Sequence, residues 1–442
     1  MPRGHWARAG LGVALLFLAA ACGTAPGASL PQVPDLNLPT STPWLRPPAP
    51  FGQQLVLPTE TPTAVVASPT PRPTATALPT ATPIIPLEEL KKTPTPATTV
   101  LGHGLGLPPG FKVELYAGGL DTVSSLAYSP DGVLFASLPG RGTVVAMPDE
   151  HGNGRADGTA VFVGGLVKPS GLAFHGGYLY VAEAHQVVRF QYQPGMLSAA
   201  SPAEVVVPGL PVGNGHSNHV ISVGPDEKLY VSIGSSCNAC QEADPRRATI
   251  MRYNLDGSQA ELYAQGLRDV EGLAWYPNVQ QPLVTNCSRS GMGEDLPPDT
   301  IEMAFQGANF GWPFCHAGDI PDPELGWPDA CNGVPHPFLQ LPAKTTPHGL
   351  MVYTGSQFPP EYYGDLFVAL YGSWERKIPV GYKIVRIHLE EGKVARVEDF
   401  ATGWLVFDQF WGRPTDLIEG RDGSLLVSDD WAGAVYRIYY AP

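Results

Sequence analysis

Through most of the chain, apolar residues fall in short alternating runs broken by Gly, Pro and Asp, and the runs recur as a unit. Ser125-Leu-Ala-Tyr-Ser-Pro-Asp-Gly-Val-Leu-Phe-Ala-Ser137 is matched by Gly171-Leu-Ala-Phe-His-Gly-Gly-Tyr-Leu-Tyr-Val-Ala182 and by Ile221-Ser-Val-Gly-Pro-Asp-Glu-Lys-Leu-Tyr-Val-Ser232. Weaker copies stand at Gly272-Leu-Ala-Trp-Tyr-Pro, at Gly349-Leu-Met-Val-Tyr-Thr with Gly364-Asp-Leu-Phe-Val-Ala369, and at Asp416-Leu-Ile-Glu-Gly-Arg-Asp-Gly-Ser-Leu-Leu-Val-Ser428. Each copy is an apolar strand, a tight turn and a second alternating strand, which predicts a β-hairpin. A third strand with an apolar-basic ending follows most of them, as in Val187-Val-Arg-Phe, Ile250-Met-Arg-Tyr, Ile384-Val-Arg-Ile and Val435-Tyr-Arg-Ile. Six such units predict an all-β fold, a six-bladed β-propeller over residues 101–442, with a sandwich or two-domain β protein as the alternative. The fourth and fifth units are longer, so their loops carry insertions, and loops on a rigid scaffold are where sites are built.

The pattern changes before residue 101. Arg3 and Arg8 precede a short apolar run, Leu11 to Ala21, that ends in small residues at Cys22. The run is too short to span a bilayer and reads as a signal peptide over residues 1–21. Leu18-Ala-Ala-Ala-Cys22 resembles a bacterial lipobox, with Ala19 where Leu is usual, so Cys22 is the expected lipidation site. Residues 22–100 are crowded with Pro and Thr, as in Pro69-Thr-Pro-Arg-Pro-Thr-Ala-Thr-Ala-Leu-Pro-Thr-Ala-Thr-Pro83. Such a segment cannot build a core and is expected as a disordered, extended tether. The expected location is the cell envelope, on the outer face of a membrane, held by a lipid anchor alone.

Charged residues are 15% of the chain and the formal net charge is -14, which argues against nucleic acid as a partner because a polyanion is repelled. Beyond Cys22 the cysteines are Cys237, Cys240, Cys287, Cys315 and Cys331, an odd number in an oxidising compartment. Cys237–Cys240 and Cys315–Cys331 are the expected disulfides, and Cys287 is left free. Gln241 after the C-x-x-C excludes a covalent c-type haem there. No Gly-x-Ser-x-Gly elbow, Walker loop or His-Glu-x-x-His helix is present.

From about Leu107 onward the chain resembles the glucose/sorbosone dehydrogenase family, and its sorbosone-dehydrogenase-like branch most. The residues that carry the resemblance are Gly234-Ser-Ser-Cys-Asn-Ala-Cys with Asp244-Pro-Arg-Arg, Gly266-Leu-Arg-Asp, Asn309-Phe-Gly-Trp-Pro-Phe-Cys, Gly372-Ser-Trp-Glu-Arg and Gly412-Arg-Pro-Thr-Asp. Characterised sugar dehydrogenases of this family are six-bladed propellers that use pyrroloquinoline quinone (PQQ) and calcium.

The resemblance implies a site. His216, in Gly213-Asn-Gly-His-Ser-Asn-His219, matches the family's catalytic base, and Arg268 matches the cation beside the reacting quinone oxygen. His219 stands where relatives often have Arg, and Asp269 where they usually have Asn beside the cofactor. Arg376 and Arg413 match forks for the cofactor's carboxylates. The calcium loop maps to Ser290-Gly-Met-Gly-Glu-Asp-Leu-Pro-Pro298, with Gly293, Glu294 and Asp295 as expected donors, although the loop departs from the more acidic family pattern. Lys344 and His348 are expected at the substrate mouth. A second acidic stretch, Asp149 to Asp157, resembles a calcium loop, but His151 breaks the alternation and a hairpin turn is the favoured reading.

These readings imply an exported quinoprotein dehydrogenase acting on an aldose, sorbosone or related polyol and passing electrons to a separate quinone or cytochrome. The alternatives are a cofactor-less propeller that binds carbohydrate or protein at the cell surface, and a metal-dependent lactonase or other hydrolase.

Overall fold

The computed structural model describes residues 98–213 and 215–442, and the expected signal peptide, Cys22 and nearly all of the expected tether lie outside the described residues. It is all-β, a propeller of six four-stranded antiparallel blades. The hairpins read from the repeat are the first two strands of each blade. They are Leu126–Tyr128 with Leu134–Leu138, Leu172–His175 with Tyr178–Glu183, and Ile221–Val223 with Lys228–Ile233 in blades 1 to 3. Blades 4 to 6 follow with Leu273–Trp275 and Pro282–Asn286, Pro347–Val352 and Leu366–Leu370, and Pro414–Glu419 and Leu425–Asp429. The first strands of successive blades lie against one another around the ring, the sixth against the first.

The second strands explain why the blades stack. Leu134–Leu138, Leu366–Leu370 and Leu425–Asp429 are buried at every position, because each is covered on both faces by a neighbouring blade. Side chains of a strand alternate between faces, so alternate residues enter different cores. Leu134, Ala136 and Leu138 pack toward blade 6, and Phe135 toward blade 2. In blade 5, Leu366, Val368 and Leu370 pack toward blade 4, whereas Phe367 and Ala369 face blade 6.

The ring is closed by a strand from its other end. Phe111–Gly118 pairs antiparallel with Ala434–Tyr440 and becomes the outer strand of blade 6. Phe111 meets Phe358, Phe400 and Tyr440 edge-on. Ahead of it, Thr98–Val100 pairs with His103–Leu105, and His103 stacks on Trp411.

Hydroxyl groups tie blade to blade near the channel. Ser137 Oγ accepts from Ser125 N within its own blade and donates to Ser170 O in the next, at 3.0 and 2.7 Å. Ser232 does the same between Val220 N and Val270 O, and Ser428 between Asp416 N and Ser124 O. Ser170 Oγ donates to His219 O, and Thr285 Oγ1 to His348 O. Five of the six blade junctions carry such a bond.

Blade 4 carries the largest insertion. After its third strand, Asp299–Met303, the chain runs as Ala308–Asn309 parallel to the outer strand of blade 3, Glu261–Gln265. It then makes an excursion held by the Cys315–Cys331 disulfide before forming its own fourth strand, Leu339–Leu341. Cys237 is bonded to Cys240, and Cys287 is free and buried, its thiol 3.4 Å from Pro347 O. Burial, helped by Asp269 and Asp299, pushes that thiol well up. Cys287 is therefore expected to resist a thiol reagent in the native, non-reduced protein and to contribute one equivalent on unfolding. Labelling of Cys287 in the native state would contradict this packing.

Glu302, on the third strand of blade 4, is buried and its Oε2 has no hydrogen-bond partner. Burial pushes its carboxyl up to about 8 from an ordinary 4.5. Between those values the native protein holds a proton that the unfolded chain has released. Stability therefore falls as pH rises through this window, by up to about 1.4 kcal/mol per pH unit. Denaturant unfolding measured from pH 5 to 8 should show this slope, and Glu302→Gln should flatten it. Equal slopes in the two proteins would show that Glu302 is not buried as an acid.

Candidate active site

In a meandering blade the connections alternate between ends. The link from second to third strand and the link from fourth strand to the next blade therefore emerge on the same face. His216 lies on the link from blade 2 to 3, Arg268 and Asp269 on that from 3 to 4, Lys344 on that from 4 to 5, and Arg413 on that from 5 to 6. The Cys237–Cys240 turn, the loop from Cys287 to Pro298, Arg376 and Asp430 occupy second-to-third-strand links of blades 3 to 6. Residues far apart in sequence thus meet on one face. A cavity of about 680 Å³ runs along the axis between the first strands, from Leu126, Leu172 and Ile221 round to Leu417, and reaches His348, Tyr371 and Asp430.

His216 Nδ1 lies 2.7 Å from Asp269 Oδ2. Asp269 is buried, with its N–H on Asn286 Oδ1 and its carbonyl accepting from Cys287 N. A carboxylate accepts, so Nδ1 carries the hydrogen and Nε2 keeps a lone pair free to take a proton. Asp269, expected beside a cofactor, uses one carboxylate oxygen to orient His216. Main-chain bonds set the pair. Ser235 O accepts from His216 N, Ser235 N donates to Arg268 O, and Arg247 Nη1 donates to the carbonyls of His216 and Gly234. Gly234 is required by space: a Cβ there would sit 2.5 Å from His216 Cβ and 3.0 Å from Asp269 Oδ1.

Arg268 does not pair with its neighbour Asp269. It is buried and donates to Asn238 O at 3.1 Å, Asn238 Oδ1 at 3.2 Å and Cys287 O at 3.3 Å. Asn238 belongs to the disulfide turn, and Trp312 of the blade 4 excursion donates to the same carbonyl, which brings two of the family-like motifs together. With only neutral oxygens as partners here, the Arg268 charge remains available to an anion.

Arg376 donates to Glu294 O and Ala343 O and to Asp295 Oδ1 at 3.2 Å, while its buried Nε has no partner. Arg413 pairs with Asp430 at 3.1 and 3.2 Å, and its guanidinium lies over the rings of Tyr371 and Trp431 at 4.5 and 4.9 Å. His348 stacks on Tyr371, whose hydroxyl bonds Asp430. Burial drives the His348 imidazole down to about 4, with Arg413 and His216 adding to the effect and Asp269 opposing it. His348 is neutral at physiological pH and lines the cavity. Lys344 departs from expectation: it is buried under the rim, its ammonium on Arg289 O. His219 is also buried, its ring between the carbonyls of Ser232 and Ala184.

The expected metal donors are not gathered. The carbonyl of Glu294 accepts from Arg376, Asp295 is 88% exposed at its side chain and paired with Arg376, and Gly293 is exposed. The Asp149–Asp157 stretch is a turn on the opposite face. Asp149 accepts from Asn153 N and Gly154 N, and Asp157 from Glu150 N. Sequence reasoning missed Asn238, Arg289, Tyr371 and Asp430, because their roles depend on partners tens of residues away in the chain.

Comparison with known proteins agrees with this architecture. An uncharacterized protein of Borreliella burgdorferi is 34% identical over 235 residues, covering 51% of this chain and 61% of its own. Quinoprotein glucose dehydrogenase B of Acinetobacter calcoaceticus is 23% identical over 261 residues, 46% of this chain and 52% of its own. The chain thus spans between half and two thirds of these curated relatives. The holo PQQ domain of pyranose dehydrogenase from Coprinopsis cinerea superposes with a TM-score of 0.66 at 19% identity, over 78% of this chain and 99% of that one. The family model for Glucose / Sorbosone dehydrogenase matches residues 181–437, more than half of the sequence, and the chain belongs to that family.

Proposed function

We propose that this chain is a quinoprotein dehydrogenase that oxidises a sugar at a hydroxyl-bearing carbon, with PQQ as the hydride acceptor. The reading is carried by the His216–Asp269 pair, 2.7 Å apart, joined through the Ser235 main chain to the buried Arg268. The family to which the chain belongs supports it.

The residues fit a planar tricarboxylate. Arg268 is buried on neutral oxygens, Arg376 has an unpartnered buried Nε, and Arg413 is held flat against Tyr371 and Trp431. Arg376 and Arg413 would hold carboxylates, and the Cys237–Cys240 turn offers a surface beside Arg268. PQQ, when bound, supplies an electrophilic quinone that takes up two electrons. The chain's own part is to remove the hydroxyl proton through His216 Nε2. Asp269 fixes the tautomer and steadies the charge that the ring acquires. Arg268 supplies positive charge where negative charge builds on the acceptor. Trp374 and Trp431 stand 73% and 58% exposed on links of this face, flat surfaces of the kind pyranose rings stack on. Electrons then pass to an external acceptor, a quinone or cytochrome. The apolar run before Cys22 and the Pro/Thr-rich segment support export and a lipid anchor outside the cytoplasm.

The test is dye reduction by quinone-loaded protein with a panel of aldoses. His216→Gln should lower turnover by about 10²–10⁴-fold while leaving quinone affinity unchanged, since it removes a base and no carboxylate fork. Asp269→Ala should lower kcat by about 10²-fold or more, because it leaves no side-chain acceptor to hold the His216 Nδ1 hydrogen. Arg413→Ala should weaken loading instead. Wild-type turnover in His216→Gln would remove the assignment. Saturable sugar binding without any quinone binding would favour a surface carbohydrate-binding propeller.

A further inference from the structure

We propose that in this chain three cationic side chains, Lys344, Arg289 and Arg376, take the place that calcium holds in the quinone site implied by the family resemblance, so that cofactor binding needs no divalent ion. The inference rests on the quinoprotein reading above and deepens it.

The loop from Cys287 to Pro298 is where calcium would be held by main-chain oxygens. A calcium site needs six to eight oxygens converging at about 2.3–2.6 Å. Here three of the loop's main-chain oxygens, those of Arg289, Ser290 and Glu294, are turned toward cations of the chain itself. Arg289 O accepts from the Lys344 ammonium. Ser290 O accepts from Arg289 Nε at 3.0 Å and from Asn238 Nδ2 at 2.9 Å. Glu294 O accepts from Arg376 Nη1 at 2.6 Å. Pro298 O accepts from Ser288 Oγ, and Asp299 takes Ser288 N on one oxygen and Thr346 N on the other. The loop's exposed acid, Asp295, is drawn onto Arg376.

These cations are built in. Arg289 and Lys344 are 3% and 4% exposed, and Arg289 is anchored by Asp322 at 2.5 Å and Glu324 at 2.9 Å, with His316 completing the Asp322 carboxylate. A divalent ion placed among these carbonyls would stand beside the Lys344 ammonium and would have to displace Arg289 from Ser290 O and Arg376 from Glu294 O. An anionic ligand would meet the same charges as attraction, and the partnerless Nε of Arg376 marks where it would be received. Calcium bridges loop to cofactor by presenting positive charge. Side chains that present that charge from the loop itself make the ion redundant.

The experiment has two arms. First, the protein alone is titrated with Ca²⁺ by calorimetry, where no saturable site is expected up to millimolar ion. Second, it is titrated with PQQ in excess EGTA and in excess Ca²⁺, and the two affinities should agree within about twofold. Arg376→Gln should lower affinity in EGTA by about tenfold or more. Quinone binding that is about tenfold weaker in EGTA than in Ca²⁺ would overturn the proposal. So would a one-to-one calcium site that Asp295→Asn abolishes. Failure of the quinone to bind in either buffer would count against the dehydrogenase reading, and the calcium arm alone would then decide this one.

Discussion

The propeller depends on a set of hydroxyl groups that accept a hydrogen bond inside one blade and give one to the next. Ser137, Ser232 and Ser428 each do so at the end of a second strand, and Ser170 and Thr285 bind the following blade as donors. Each bond contributes only about 1 kcal/mol net. Their placement matters more than their strength, because packing between blades is apolar and would tolerate sliding, whereas a buried hydroxyl with two partners tolerates none. Three of the five carbonyls they bind belong to Val270, His219 and His348, residues next to Asp269, near His216, and at the rim. The fold's register and the geometry of the site are therefore fixed by the same contacts.

Charge gives the upper face, the one that carries His216 and Arg268, its character. The chain as a whole is strongly negative, yet this face buries Arg247, Arg268, Arg289 and Lys344, and main-chain carbonyls are prominent among their partners. Carbonyl partners orient a cation without neutralising it, as at Arg247 and Arg268. Three acids on this face are committed to basic partners. Asp269 holds His216, Asp430 holds Arg413, and Asp322 holds Arg289.

Much of the fold was legible because the repeat is local: a strand, a turn and a strand within a dozen or so residues in every blade but the fifth, as in Ser125 to Ser137. The pairing of Cys237 with Cys240 and of Cys315 with Cys331 was legible for a similar reason, since each pair is close in sequence and Cys287 is the odd one out. The closing strand Phe111–Gly118 was not, because its partner Ala434–Tyr440 lies at the far end of the chain. Nor was the extra strand Ala308–Asn309, which leaves blade 4 to pair with blade 3. In the site, His216 and Arg268 could be named from motifs, but the partner of Asp269 could not. Adjacency in Arg268-Asp269 suggests an ion pair, whereas the backbone turns the two side chains to different neighbours. The calcium loop was placed by the family resemblance, and the sequence did not reveal that Arg376 reaches Glu294 and Asp295 from another blade.

The most direct measurement is a crystal structure of the protein grown with PQQ. The account predicts the quinone on the upper face beside the Cys237–Cys240 turn, its reacting oxygen at Arg268, its carboxylates at Arg376 and Arg413, and His216 Nε2 facing open space where a sugar hydroxyl fits. A quinone ordered in the axial cavity or on the opposite face, or His216 turned away from Asp269 in the complex, would contradict it.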